Sequence, residues 1–73
     1  MLAIDIQKLI EAGLPDATVE VLGDDGQHFE ARVISPSFAG KPLLAQHKMV
    51  YATLGNSFES ALHALSLKTS APR

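Results

Sequence analysis

Cysteine is absent from the 73-residue chain, and aromatic side chains are few, with three Phe, one Tyr and no Trp. Without cysteine the chain can form no disulfide and can offer no thiolate to a metal, so soft-metal chemistry would need sulfur from a partner. No apolar run approaches the ~20 residues that span a bilayer, and no basic, secretory-type segment opens the chain. We therefore expect a cytoplasmic protein without membrane association.

The charge and size of the chain limit its function further. Six basic side chains against eight acidic ones give a formal charge of −2, which argues weakly against a protein dedicated to nucleic acid. Apolar residues make up 47% of the chain, enough for a small aliphatic core. We expect a single domain over residues 1–73.

Hydrophobic periodicity predicts a helix followed by two strands in the first half of the chain. The helix covers 2–12, and Gly13 should end it in the left-handed conformation. Strands over 18–22 and 28–35 alternate apolar and polar residues, and the Gly-Asp-Asp-Gly turn at 23–26 joins them as an antiparallel hairpin.

The second half should form a helix and a last strand. Pro36 must stop the preceding strand, and Gly40-Lys41-Pro42 leads into a helix that ends at Gly55. A short helical turn is possible between residues 38 and 43. The apolar stripe of the long helix is expected to form the main part of the core and consists of Leu43, Leu44, His47, Val50, Tyr51 and Leu54. A last strand is predicted over 61–69.

The order α-β-β-α-β favours an α/β (α+β sandwich) fold, with a three-stranded sheet and the helices packed on one face. An enzyme needs a nucleophile, acid or base held by a second group, and the sequence offers no such cluster and no phosphate-binding glycine loop. We therefore expect a protein that binds rather than catalyses.

Several short motifs resemble the BolA family in order and spacing. Ser35, Phe38-x-Gly40-Lys41, Leu44, His47 and Val50-Tyr51 resemble its central signature, while His28-Phe29 and His63-Ala64-Leu65 resemble its H-F and H-A-L. The resemblance covers about residues 15–69 and indicates a member with a short loop between the first two strands. Gln46 departs from it, because the family usually has Arg there. The implied fold is similar to a class II KH domain. Whether this chain has the family's small final helix stays open, because it lacks the Pro-acidic-Trp ending that the family usually shows.

The resemblance implies a role for His63. In BolA-like proteins the histidine of H-A-L is a ligand of a [2Fe–2S] cluster shared with a monothiol glutaredoxin, whose cysteine and bound glutathione supply the thiolates. Imidazole is a competent iron ligand, so a chain without cysteine could supply only the nitrogen half. Taken alone, His63 would more often be a surface or capped histidine than a metal ligand.

The second ligand stays open. The family takes it from a Cys or His in the loop between the first two strands, where this chain has only His28, at the far edge. His28 is either that ligand or the ordinary histidine of the strand start. In the second case the position would be left to water or to a carboxylate such as Asp25. His47, on an apolar stripe, is interpreted as a partly buried, hydrogen-bonded structural ring.

Three functions remain: a glutaredoxin-bound adaptor in iron–sulfur cluster assembly or iron homeostasis, a KH-like DNA-binding transcriptional regulator, and an interaction domain without ligand. Residues expected on the partner or nucleic-acid surface are Phe38, Gly40, Lys41, His47 and Lys48. Arg32 and Lys68 could join Lys41 and Lys48 in a modest basic face. The free protein is expected to be a monomer or a weak homodimer.

Overall fold

The computed structural model describes residues 2–25, 28–55 and 65–73. Their secondary structure follows the predicted order. The elements are helix α1 (Ala3–Gly13), strand β1 (Thr18–Leu22), strand β2 (Phe29–Ile34), a 3₁₀ turn (Pro36–Phe38), helix α2 (Leu43–Leu54) and strand β3 (Leu65–Ser70). The predicted strand residues 61–64 lie outside the described residues.

The three strands form one sheet in the order β1-β2-β3. Strands β1 and β2 are antiparallel, with Val19 opposite Val33. Strands β2 and β3 are parallel, with Phe29 opposite Leu65 and Ile34 opposite Ser70. Parallel neighbours need a crossover, and α2 lies in it. The first residues of β2 and β3 therefore lie at one end of the sheet, called here the hairpin end because the β1–β2 turn is there. The other end is called the entry end, because the chain enters α2 beside it.

The core lies on one face of the sheet, as the alternation predicts. Along β1 and β2 every second residue is buried, and Leu65 continues this face in β3. Two residues of each helix complete the buried centre. The fully or nearly fully buried apolar residues of strands and helices are Val19, Val21, Phe29, Ala31, Val33, Leu65, Ile6, Ile10, Val50 and Leu54. Both helices thus pack on the same face, which confirms the predicted fold class.

The opposite face of the sheet is exposed to solvent in the described part of the chain. The register aligns Glu20, Arg32 and Lys68 in one row across the three strands. Lys68 Nζ lies 3.4 Å from Glu30 Oε1. Because the two side chains are 65% and 36% exposed, solvent screens this ion pair, which contributes no more than about 1 kcal/mol.

The core stripe predicted for α2 is wrong at the start of the helix. Leu43 and Leu44 are 58% and 67% exposed and do not belong to the core stripe, whereas Val50 and Leu54 are buried. Thr69, next to the end of β3, bonds Gln46. The first turn of α2 therefore lies at the end of the sheet, where little apolar surface is left to cover it.

The short helical turn also lies earlier than predicted, because it begins at Pro36, directly after β2. The Ser35 side chain caps it by accepting a hydrogen bond from Ser37 N–H at 3.0 Å. Proline suits the first position of such a turn because its missing N–H would have no partner there.

The prediction that Gly13 ends α1 in the left-handed conformation is wrong, although Gly13 is the last residue of the helix. It is not left-handed; the described glycines with positive φ are Gly23, Gly40 and Gly55, and Gly55 follows α2 directly. Instead, a Cβ at position 13 would lie 2.5 Å from Thr53 Cγ2 and 2.7 Å from Thr53 Cβ. Glycine is required at this position because α1 and α2 approach each other closely.

Gly13→Ala should destabilise the protein by about 1–3 kcal/mol, the usual cost of overpacking. Alanine is otherwise the better helix former by up to about 1 kcal/mol, so propensity alone predicts the opposite sign. Urea unfolding would measure the change. Adding Thr53→Ala, which removes the nearest methyl group, should recover part of the loss. A higher unfolding midpoint for Gly13→Ala would contradict the close approach of the helices.

Candidate functional site

The hairpin end of the sheet holds His28 in a turn closed by Asp25. His28 directly precedes β2. Its backbone N–H donates to Asp25 Oδ1 at 2.8 Å, and its ring Nδ1 lies 2.9 Å from Asp25 Oδ2. Gly23 allows the chain to fold back here, since a Cβ at that position would lie 2.6 Å from the His28 carbonyl oxygen. One carboxylate therefore holds both the backbone and the ring of His28.

The imidazole of His28 is accessible. Its side chain is 76% exposed, and that of Asp25 is 52% exposed. Among the described residues, Nε2 of His28 has no hydrogen-bond partner. A histidine with one nitrogen on a carboxylate and the other open is the arrangement found in many protein metal sites. The residue fits a role as a nitrogen ligand, although a strand-start histidine without a ligand is also compatible with this geometry.

His63, the other predicted ligand, lies outside the described residues. In the chain it stands two positions before Leu65, the first residue of β3. Leu65 pairs with Phe29, the residue after His28. The first residue of β3 therefore lies beside the first residue of β2, which directly follows His28.

Metal-binding side chains are not clustered in the parts of the chain that the structure covers. No group of three or more His, Cys, Asp or Glu side chains there could hold a metal ion. The hairpin end can thus offer an incomplete ligand set, and a metal held there would need donors from elsewhere.

The predicted partner surface lies at the other end of the sheet. Gly40, Lys41 and Lys48 are exposed, but Phe38 is only 1% exposed and belongs to the core, so its placement on the surface was wrong. His47 is partly buried, as expected. Its Nε2 is buried and has no hydrogen-bond partner in the described structure, which differs from the predicted hydrogen-bonded ring.

The structure does not bring His28 together with the described residues of the predicted partner surface. From Phe29 to Ile34, β2 advances about 16 Å at 3.3 Å per residue, which separates His28 from the entry end. The expected basic face is divided as well. Arg32 and Lys68 lie on the open face of the sheet, while Lys48 lies on α2, which covers the other face. Leu43 and Leu44 are exposed near Lys41 and Lys48 in the chain. This exposed apolar pair was not predicted, because the sequence periodicity assigned both leucines to the core.

The entry end is held by a carboxylate that sequence reasoning missed. Asp16, just before β1, accepts hydrogen bonds from the hydroxyls of Ser35 at 2.8 Å and Ser37 at 2.6 Å. These two bonds lower the pKa of Asp16 below its ordinary value, with the Ser37 hydroxyl as the larger cause. The Ser-Pro-Ser sequence after a strand was a visible signal for a capped turn, but nothing in the sequence paired it with Asp16.

Gln46, at the position where the family usually has Arg, also stabilises this end. Its amide Nε2 donates to the Lys41 carbonyl at 2.9 Å, and its Oε1 accepts from the Thr69 hydroxyl at 2.7 Å. A neutral side chain with both a donor and an acceptor makes these two contacts together. Arginine, which has no acceptor, could not accept from Thr69.

A hairpin joined through a helix to a parallel third strand, with both helices on one face, defines a mixed α+β domain of the BolA fold. The chain belongs to the BolA-like protein family, whose model matches residues 10–73. A BolA homologue from Coxiella burnetii superposes with a TM-score of 0.84 at 45% identity, covering 99% of this chain and 92% of that one.

Two curated relatives show how varied the proteins with this domain are. SufE-like protein 1 of Arabidopsis thaliana is 43% identical over 51 residues, which cover 68% of this chain and 14% of that protein. The DNA-binding transcriptional regulator BolA of Escherichia coli is 38% identical over 42 residues, or 58% of this chain and 40% of that protein. The chain thus spans less than half the length of either. None of the described helices is long and apolar enough to cross a membrane.

Asp16→Asn should lower stability at neutral pH, because the ionised carboxylate is the form that the two serine hydroxyls stabilise. The pKa of Asp16 is depressed in the folded state, so this stability is present above the ordinary value of 3.8 and is lost as the pH falls through the lowered value. Thermal unfolding from about pH 7 to about pH 2 should show the two proteins converging in acid.

The matched control for this experiment is Asp24→Asn. It removes the same charge from an exposed aspartate that has no hydrogen bond to a described residue, and should change little. Equal losses in the two variants would show that net charge, rather than the serine contacts, causes the effect.

Proposed function

We propose that the protein is an adaptor that pairs with a monothiol glutaredoxin and shares a [2Fe–2S] cluster with it, in iron–sulfur cluster assembly or iron homeostasis. The observation that carries this proposal is the accessible Nε2 of His28, on a ring that Asp25 holds at the hairpin end of the sheet. In this proposal the chain binds and does not catalyse.

The donor chemistry divides between the two partners. The chain has no cysteine, so it contributes nitrogen from His28 and His63, and the glutaredoxin contributes thiolates from its cysteine and from glutathione. Two nitrogens on one iron and two thiolates on the other is a known arrangement for such clusters. The incomplete ligand set of the described residues is consistent with a cluster that forms only in the complex.

His63→Ala should abolish the cluster spectrum that appears when the protein is mixed with a monothiol glutaredoxin, glutathione, iron and sulfide. His28→Ala should weaken the spectrum or shift it, because one iron then lacks a nitrogen ligand. Visible absorption and circular dichroism measure both effects. Protons compete with metal for imidazole nitrogen, so the wild-type cluster should also become less stable below about pH 6.5.

The third histidine gives the control for this experiment. Because His47 on α2 is partly buried, with a buried Nε2, we no longer place it on the partner surface, and His47→Asn should leave the cluster spectrum unchanged if the variant keeps its far-ultraviolet circular dichroism. A wild-type mixture whose spectrum equals that of glutaredoxin alone would refute the adaptor function. A spectrum retained in both His63→Ala and His28→Ala would refute the ligand assignment.

DNA binding is the second candidate function, and one observation at the entry end favours it. Lys41 and Lys48 are both exposed there, and residues 31–58 contain no Asp or Glu although the whole chain has a net charge of −2. The E. coli relative that carries the name of a DNA-binding regulator adds support. KH domains, whose fold is similar, grip nucleotides with a GXXG loop, whereas residues 37–41 here contain one glycine.

Replacing Lys41 and Lys48 by Gln tests this second function. Each lysine that contacts a phosphate contributes about 0.9 to the slope of log binding constant against log salt, so the double variant should lose up to about 1.8. Fluorescence anisotropy with duplex DNA at several salt concentrations measures it. Lys8→Gln with Arg73→Gln removes two exposed cations elsewhere and should leave the slope unchanged. Equal losses in both double variants would contradict a DNA site at the entry end.

A further inference from the structure

We propose that Asp25 is a positioning residue that makes Nε2 of His28 the ligand atom by fixing the tautomer of the ring. This inference rests on the proposed function, because it concerns how His28 would be presented to a cluster. It assigns Asp25 a role behind the ring, in place of the direct metal contact considered for it above.

The hydrogen bonds determine the tautomer. An ionised carboxylate accepts hydrogen bonds but cannot donate them, so the 2.9 Å contact between Asp25 Oδ2 and His28 Nδ1 requires the hydrogen on Nδ1. In a neutral imidazole the other nitrogen then carries a lone pair. That nitrogen is Nε2, which faces away from the carboxylate on a side chain that is 76% exposed.

The second contact of the same carboxylate makes the arrangement rigid. Asp25 Oδ1 accepts from the backbone N–H of His28 at 2.8 Å, so the turn and the ring are held together. An exposed histidine without such contacts would exchange between rotamers and between tautomers. Restricting it in advance removes conformational entropy that metal binding would otherwise have to overcome.

The neighbouring Asp24 shows that charge alone does not explain the arrangement. Asp24 is exposed in the same turn and carries the same charge, yet it makes no hydrogen bond to a described residue. The two aspartates therefore form a natural pair in which only one contacts the imidazole. They can be substituted identically and compared.

Asp25→Asn is the discriminating variant because it keeps the shape of the side chain. Its amide oxygen can still accept from the backbone N–H of His28, and its NH₂ group then faces Nδ1. An NH₂ group donates, so Nδ1 must become the acceptor and the hydrogen must move to Nε2. The substitution thus retains the turn and inverts the tautomer. Asp24→Asn should do neither.

The first measurement uses the free protein and no metal. Long-range ¹H–¹⁵N correlation spectra above about pH 7.5, where free imidazole is neutral, report which ring nitrogen of His28 carries the hydrogen. We expect Nδ1–H in the wild type and in Asp24→Asn, and Nε2–H in Asp25→Asn. A wild-type ring in the Nε2–H form would overturn the inference without reference to glutaredoxin.

The second measurement connects the tautomer to the cluster. With glutaredoxin, glutathione, iron and sulfide, Asp25→Asn should lower the resistance of the cluster to a competing chelator by about 10- to 100-fold, the usual effect of losing the partner behind a ligating histidine. Asp24→Asn should match the wild type. Visible circular dichroism follows both variants beside His28→Ala.

The outcomes separate the two proposals. If His28→Ala weakens the cluster and Asp25→Asn inverts the tautomer without weakening it, the positioning role is refuted and the adaptor function stands. If neither His28→Ala nor His63→Ala changes the cluster, the ligand assignment fails, and the role of Asp25 in ligation fails with it. If Asp25→Asn weakens the cluster and Asp24→Asn does not, the inference is supported.

Discussion

The parallel pairing of β2 with β3 is the constraint on which the rest of the structure depends. Parallel neighbours cannot be joined by a tight turn, so a crossover must return the chain to the end where β2 began. Helix α2 lies in that crossover and packs on the same face as α1. The pairing of Phe29 with Leu65 then brings the chain around His28 and the chain entering β3 to one end of the sheet.

The small core leaves little tolerance in the contacts that hold this arrangement. At this chain length only ~60% of the surface of the unfolded chain is buried, so each close contact matters more than in a large domain. The helices meet where Gly13 has no side chain to separate it from Thr53. At the entry end, Asp16 joins the loop before β1 to the turn after β2, and Gln46 joins α2 to β3. Polar side chains, rather than further apolar area, close this end.

Patterns that depend on neighbouring residues were predictable, and patterns that depend on the extent of the sheet were not. The bounds of β1 were predicted as found because its alternation is strict and a turn follows it. Periodicity placed Leu43 and Leu44 on an apolar stripe but could not show that the first turn of α2 lies at the sheet's end. Phe38 was misplaced on the surface because it was assigned there from its place in the family-like motif rather than from an apolar pattern, whereas the structure buries it. The contacts of Asp16 with Ser35 and Ser37 span about twenty residues and depend on tertiary geometry, and the Asp25–His28 bond depends on the local turn.

A chain without cysteine can offer nitrogen and oxygen ligands, but no thiolate, to a shared iron–sulfur cluster. Imidazole binds metal only in its neutral form, and a thiol binds only after it has lost its proton. Once formed, the thiolate is the softer ligand and suits iron–sulfur clusters better. Under the proposed function the chain supplies only nitrogen ligands, so retention of the cluster would depend on the partner that supplies the thiolates. The chain itself can determine three properties of a histidine ligand: the orientation of the ring, which ring nitrogen carries the lone pair, and the charge next to the other nitrogen. In the described residues Asp25 sets all three for His28, which makes the hairpin end the place where this chain's contribution to such a complex would be decided.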